Sequence, residues 1–352
     1  MAWAAGQQAF SVGPDGRLAA SVDGAEVLAW SGDDLRPLWK DLGDAVFAGV
    51  AIDSQAVWLI DQEGTLQRRR REDGEVLHQR QVLTGRPVAI AAVDGHVLVV
   101  GEQVVHYLIG TELRAIVTLA GVVAVAISAD ARWAALAEGG GALTVLDLSV
   151  PGPCGRLEVG GRPSSVVWSR EGFWLVAVGH RLRPVRADGR QIAAPRGCTS
   201  APVDQLTLSA QGVIAAVRMG PNEVALLHVE DARATGTIKL GREIVGVAGG
   251  PHGLLWLGLR HGDLQRFDLL SGETTLAGSH AGRARVAFAT DVRFDPADVR
   301  GMLARHLAGG EPLSVYVPPT EAEASGCSWQ LALALVVSAL LMAALLGWYV
   351  YG

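Results

Sequence analysis

Lysine is nearly absent from this chain: Lys40 and Lys239 are the only two among its 30 basic residues, and the rest are arginine. With abundant alanine and glycine, that bias points to a GC-rich bacterial genome. A formal net charge of -6 argues against nucleic acid as a partner, because phosphate binding needs a basic face. Cysteine is scarce as well. Cys154, Cys198 and Cys327 cannot all pair and have no metal-ligand spacing, which fits a reducing compartment. The nine histidines are scattered, with no HExxH and no pair at helical spacing, so no metal site is expected. A phosphate-binding P-loop, a GxSxG elbow and a dinucleotide fingerprint are all missing, so no cofactor and no enzyme are expected. An active site assembled in pieces from several parts of the chain stays open as an alternative. Met1 to Phe10 (MAWAAGQQAF) carries no basic residue and no apolar stretch long enough for a secretory signal.

Sustained helical periodicity is also lacking before Asp295. What is there instead is a repeat. Paired apolar segments with a Ser, Asp or Gly turn between them begin near Gln8, Phe47, Val88, Val123, Ser164, Val203 and Ile244, at intervals of 35 to 41 residues. Within each unit the apolar runs are short, rich in Val, Leu, Ile and Trp, and bounded by Gly-containing turns, which is strand and hairpin chemistry. Val97 to Val100, Val224 to Leu227 and Leu254 to Leu257 are unbroken apolar runs, as strands covered on both faces require. Trp58, Trp133, Trp174 and Trp256 fall in the second strand of four units and are expected in the core between neighbouring units.

The units also match residue by residue. Gly64 to Gly74 (GTLQRRRREDG) and Gly262 to Gly272 (GDLQRFDLLSG) share length and framing, and Gly141 to Pro151 (GALTVLDLSVP) keeps the same beat. The preceding turns agree too: Val12 to Ala20 (VGPDGRLAA), Ser128 to Ala135 (SADARWAA) and Ser209 to Ala216 (SAQGVIAA). Over roughly Gln8 to Gly278 the chain resembles the WD-repeat and YVTN-type β-propellers, with a turn of the SPDG kind before one strand and a GTVRVWDLRTG-like strand after it. The Gly-His and Trp-Asp pairs of WD repeats are mostly missing, although Asp147 and Asp268 stand in the Asp place. The resemblance implies an all-β, seven-bladed propeller of four-stranded antiparallel blades over residues 1–290, with a protein-interaction role.

Beyond the repeats, Arg285 to Ala289 (RVAFA) reads as one more strand, placed to close the ring against the first blade. Asp295 offers a helix N-cap, Pro296 the first helical position and Asp298 an early acid. Val299, Met302, Leu303, His306 and Leu307 then recur on one face, which predicts a short amphipathic helix within 291–309. It either packs on the propeller or docks a partner. Residues 310–326 (GEPLSVYVPPTEAEASG) read as a Pro- and Glu-rich tether. The last segment, 327–352, is expected to be a single transmembrane helix. No charge interrupts Trp329 to Tyr351, and Leu331, Leu335, Val336, Leu340 and Leu345 form its apolar body. Trp329 stands at one end, and Trp348, Tyr349 and Tyr351 at the other. Ala339, Ala343 and Gly347, four apart, offer a close-approach face for a homodimer.

One local anomaly interrupts the repeat. Arg68, Arg69, Arg70 and Arg71 replace the apolar residues of the third strand in the second unit, and Arg183 and Arg266 align with Arg68. The run reads either as a solvated strand neutralised by Glu72 and Asp73, or as a basic patch for anionic lipid headgroups or an acidic partner. Taken together, these features predict a non-enzymatic scaffold, tail-anchored and single-pass, with a cytoplasmic propeller. Such a platform recruits other proteins to the membrane, a kinase or an AAA-type ATPase system for example. An extracytoplasmic assembly or sensor protein and an enzyme with a site in the propeller channel are the alternatives.

Overall fold

Short apolar runs separated by tight turns pair most readily with their neighbours in the chain, and each unit here folds back on itself as an antiparallel meander. The structure is a computed structural model that describes residues 9–150, 152–190, 199–230, 233–260, 263–277 and 289–308. All of them belong to one compact unit, 1–313; the second unit, 314–352, lies outside the described residues. Among the described residues there are seven antiparallel sheets, the blades of a seven-bladed propeller. Their inner strands are Ala9–Val12, Phe47–Ile52, Pro87–Val93, Val122–Ile127, Pro163–Trp168, Gln205–Ser209 and Ile244–Gly249. Each begins within two residues of the repeat start expected for it. Five blades have four strands, and the fifth shows three among the described residues.

Every inner strand touches the inner strands of both neighbouring blades, the first and seventh included, so the ring is closed. Both faces of each blade are therefore buried, and the core is a series of apolar layers between blades. The run Val97 to Val100 is fully buried, as expected of a strand covered on both sides. Polar latches cross the seams. The carboxylate of Asp53, wholly buried, accepts from its own turn at Ala56 N, from Trp58 Nε1 and from Gly95 N of the next blade, all within 2.9 Å. Asp147 and Asp268 hold the turns after their strands by accepting from the backbone N–H of Ser149 and Leu270.

The ring does not close in the expected way. Residues 285–288 lie outside the described residues, and Ala289 opens the strand Ala289–Phe294, which pairs with the outer strand of blade six, Ala234–Leu240, and not with the first blade. Blade one already holds four strands drawn from residues 9–42 and blade seven four from 244–277, so neither needs a strand from elsewhere. The added strand instead covers a free edge and makes blade six five-stranded.

It leads directly into the helix Pro296–Leu307. The side chain of Asp295 accepts from Ala297 N, Pro296 stands in the first turn with Asp298, and Arg305 and His306 occupy the last turn, where positive charge complements the helix dipole. Val299 and Met302 are buried against Val213, Leu269 and Leu270, with Leu303 partly covered. Leu307 is 65% exposed, so the packed stripe is narrower than its periodicity predicts. No helix among the described residues is long and apolar enough to cross a membrane, and the expected span from Trp329 to Tyr351 lies outside them.

Candidate functional site

The four arginines fall at the end of the third strand of blade two, Thr65–Arg69, and in the turn after it. Alternation along a strand sends neighbours to opposite faces. Arg68 lies 5.5 Å from the Trp58 ring and donates to Gln55 Oε1. Arg69 points the other way, toward blade one. It is 4% exposed, donates from Nε and Nη2 to Gln67 Oε1 at 3.0 and 2.8 Å, and from Nη1 to Asp41 Oδ2 at 2.5 Å. Arg71 follows it onto that side, where both carboxylate oxygens of Asp15 accept from Nη2 at 2.9 and 2.7 Å and Ser54 O accepts from Nη1. Arg70 stays in its own turn with Asp73 and Glu75. The Asp73 hydrogen bond, with both carboxylate charges, raises the Arg70 pKa above its ordinary value.

Solvated surface charge therefore does not describe Arg69. A buried guanidinium needs a partner, and Asp41 of blade one supplies it. With Arg71 and Asp15, the pair fastens blade two to blade one. The carboxylates come from 28 and 56 residues away, so only the ring brings them in; the expected neutraliser Asp73 serves Arg70 alone. Arg266 does match Arg68, since each lies opposite a tryptophan on the second strand, Trp256 and Trp58. Arg183 lies opposite Val176, one residue out of step and level with Gln67 and Gln265. The anchor residues Trp329, Leu331, Leu335, Val336, Leu340, Leu345, Trp348 and Tyr349, and the face Ala339, Ala343 and Gly347, lie outside the described residues.

The second place where several blades converge is the channel. Its seven inner strands read AFSV, FAGVAI, PVAIAAV, VVAVAI, PSSVVW, QLTLS and IVGVAG, without one ionisable side chain. The polar residues present there serve the ring itself. Leu206 N donates to Ser165 Oγ, Val247 N to Gln205 Oε1 and Gly249 N to Thr207 Oγ1, so side chains of one blade satisfy the inner backbone of the next. No group of three His, Cys, Asp or Glu residues that could hold a metal occurs among the described residues.

At one end, where the turns between inner and second strands crowd together, a cavity of about 160 Å³ opens, bordered by Pro14 of blade one, Trp168 and Arg170 of blade five, Leu208 and Gln211 of blade six and Gly249 of blade seven. Blades six and seven approach so closely there that a Cβ on Gly249 would fall 1.6 Å from Leu208 O. Gln211 is held in the left-handed region (φ 62, ψ 21), which costs a non-glycine residue about 1–2 kcal/mol. In that conformation its Oε1 accepts from Arg170 Nη1 at 2.7 Å. The sequence marks Ser209 to Ala216 (SAQGVIAA) as a turn and strand of the repeat and does not single out the turn Ser169 to Gly172 (SREG). Their meeting across the channel mouth left no linear signal.

No family model matches the chain, and no curated protein matches it. Solved structures do. The chain is similar to the β-propeller domain of Myceliophteria thermophila Cps50 (Swd1), with a TM-score of 0.61 and 11% identity over 73% of this chain and 95% of that one. It is also similar to a chain in the crystal structure of a mitotic checkpoint complex, with a TM-score of 0.53 and 14% identity over 60% of this chain and 73% of that one. At these identities the likeness is one of fold: a WD-repeat-like seven-bladed propeller.

Proposed function

We propose that this chain is a non-enzymatic scaffold, a propeller that binds other proteins and is held at a membrane by the apolar segment 329–351. The observation that carries the reading is the channel wall, seven inner strands from which every acid, base and nucleophilic pair is missing. General acid–base and metal chemistry need titratable groups within hydrogen-bond reach of a substrate, and among the described residues the seven inner strands carry none. What the ring does offer is a rigid frame displaying many turns, the arrangement from which binding surfaces are built. Its neighbours among solved structures include a component of a checkpoint complex, in keeping with a role in assembly. Anchoring rests on the length and apolar character of 329–351.

Affinity purification of the tagged full chain from native membranes, solubilised in mild detergent, tests the scaffold. Stoichiometric protein partners are the expected result, and a chain recovered alone overturns it. Carbonate extraction tests the anchor: the full chain stays with membranes and a chain lacking 329–352 does not. A reporter fused to the N-terminus, active as green fluorescent protein and inactive as alkaline phosphatase, places the propeller in the cytoplasm. The opposite result favours the extracytoplasmic assembly protein.

A further inference from the structure

The geometry points to the channel mouth between blades five, six, seven and one as a receptor for a carboxylate side chain on an acidic peptide segment. The inference rests on the scaffold reading and names the chemistry of one partner. Arg170 is exposed at the rim, and its Nη1 is spent on a neutral amide, Gln211 Oε1; no ion pair joins it to a carboxylate among the described residues. Its charge is therefore oriented without being neutralised. A guanidinium presents five donors in a planar fork, so the edge not used by Gln211 is free to take a carboxylate.

The acids in the turns of blades one, four and five at this end are engaged elsewhere: Asp130 of blade four accepts from Ser128 Oγ and Arg132 N. Asp15, next to Pro14, accepts two hydrogen bonds from Arg71. Glu171, the neighbour of Arg170, lies 3.8 Å from His306 Nδ1 on the helix. Below the rim the seven inner strands carry no ionisable side chain, so no charge on them competes for an anion, and low-dielectric walls concentrate the field of a cation at the opening.

Size and lining narrow the ligand further. A cavity of about 160 Å³ admits one side chain, and the half-buried Trp168, with Pro14 and Leu208, gives it an apolar wall against the methylenes of Glu. Trp168 is itself fixed by an edge contact with Trp174 at 4.6 Å. Gln211 acts as a positioning residue. Its left-handed backbone is the kind of local strain that persists where the surrounding structure enforces it, and here the turn is flanked by the helix packed over Val213. The consequence is that Arg170 is steered over the mouth before a ligand arrives.

Fluorescence anisotropy with labelled hexaglutamate, on the full chain in detergent at low salt, decides the matter. Wild type binds hexaglutamate and does not bind hexalysine or, at matched carboxylate concentration, free glutamate. Arg170→Gln weakens binding about tenfold, the scale of losing a charge-assisted pair. Gln211→Glu weakens it equally, because a built-in carboxylate then occupies the guanidinium while both side chains keep their length. Should Arg170→Gln also lower the melting temperature, Gln211→Glu carries the decision. Equal affinity of wild type and both variants, binding of hexalysine, or no binding of hexaglutamate by wild type overturns the site. Free glutamate binding as tightly as the peptide replaces the peptide with a small-molecule ligand and overturns the proposal as stated. Failure here with partners still recovered from native membranes removes the mouth and leaves the scaffold; a chain recovered alone removes the scaffold first.

Discussion

Blade seven meets its two neighbours by different means. Toward blade one, among the described residues, it is joined by side chains: Trp256 and Leu264 pack on Ala19, Leu28, Trp30 and Leu35, and Phe10 fills the space beside Gly246 and Gly258. Arg266, 5.7 Å from the Trp256 ring, donates to the carbonyls of Gly32 and Asp33. Toward blade six it has side chains plus the chain itself, which returns after blade seven to add the strand Ala289–Phe294 and the helix Pro296–Leu307. Arg300 on that helix donates to Leu270 O of blade seven, and Val299 and Met302 complete a core shared by both blades. A ring is as strong as its weakest seam. Among the described residues no strand crosses the junction of the two ends, where the seven–one seam is made by the fit of a few large side chains and the bonds from Arg266.

Truncation at that seam is expected to have the largest effect. Trp256→Ala removes a fully buried indole and should cost about 3–5 kcal/mol, read by denaturant unfolding of the full chain in detergent; a loss below about 1 kcal/mol would mean that the seam is held by something other than packing. Met302→Ala, on the other side, should cost about 2–3 kcal/mol. Its effect should be local: amide hydrogen exchange rises over 289–308 while the inner strands stay protected. Exchange rising around the whole ring would make the returning segment a closure of the ring and erase the contrast. Arg266→Ala removes two bonds to carbonyls at the open seam and should cost about 1.5 kcal/mol.

The smallest effect belongs to a pair within one blade, a control that neither seam should influence. Burial raises the pKa of Glu138, but the hydrogen bonds from Arg156 and Thr144 outweigh burial and leave it below the usual carboxylate value. A carboxylate depressed on folding stabilises above its unfolded pKa, near 4.5, and the benefit disappears as pH falls through the folded value. Wild type should therefore melt above Glu138→Gln at pH 7, by about 1 kcal/mol, and the two should converge below pH 4.5. A difference that persists in acid would assign the effect to packing.

The four tryptophans show where sequence reading stopped. All four were placed in second strands and in the core. Trp58, Trp174 and Trp256 are buried, and Trp133 is half-buried at the start of its strand beside Arg132. They do not fill one recurring gap. Trp58 and Trp256 face the following blade, whereas Trp174 faces the preceding one, packed with Leu143 and Val145 of blade four. A strand turns over at every residue, so a one-residue shift in register moves a side chain into a different seam. Arg183 misaligned with Arg68 for the same reason.

Strand content, turn positions, the repeat, the number of blades, and the helix cap at Asp295 followed from the sequence by itself. Each depends on residues within a few positions of one another: alternation and turn chemistry for hairpins, a side-chain oxygen meeting a backbone N–H two residues on for the cap. The edge that received the last strand, the carboxylates that met Arg69 and Arg71, and the convergence of Trp168, Arg170 and Gln211 at the channel mouth were decided only by the tertiary structure. They join residues 28 to 58 positions apart and, at the seven–one seam, more than 230 apart. Contacts of that kind exist only once seven separately folded blades have been bent into a closed circle.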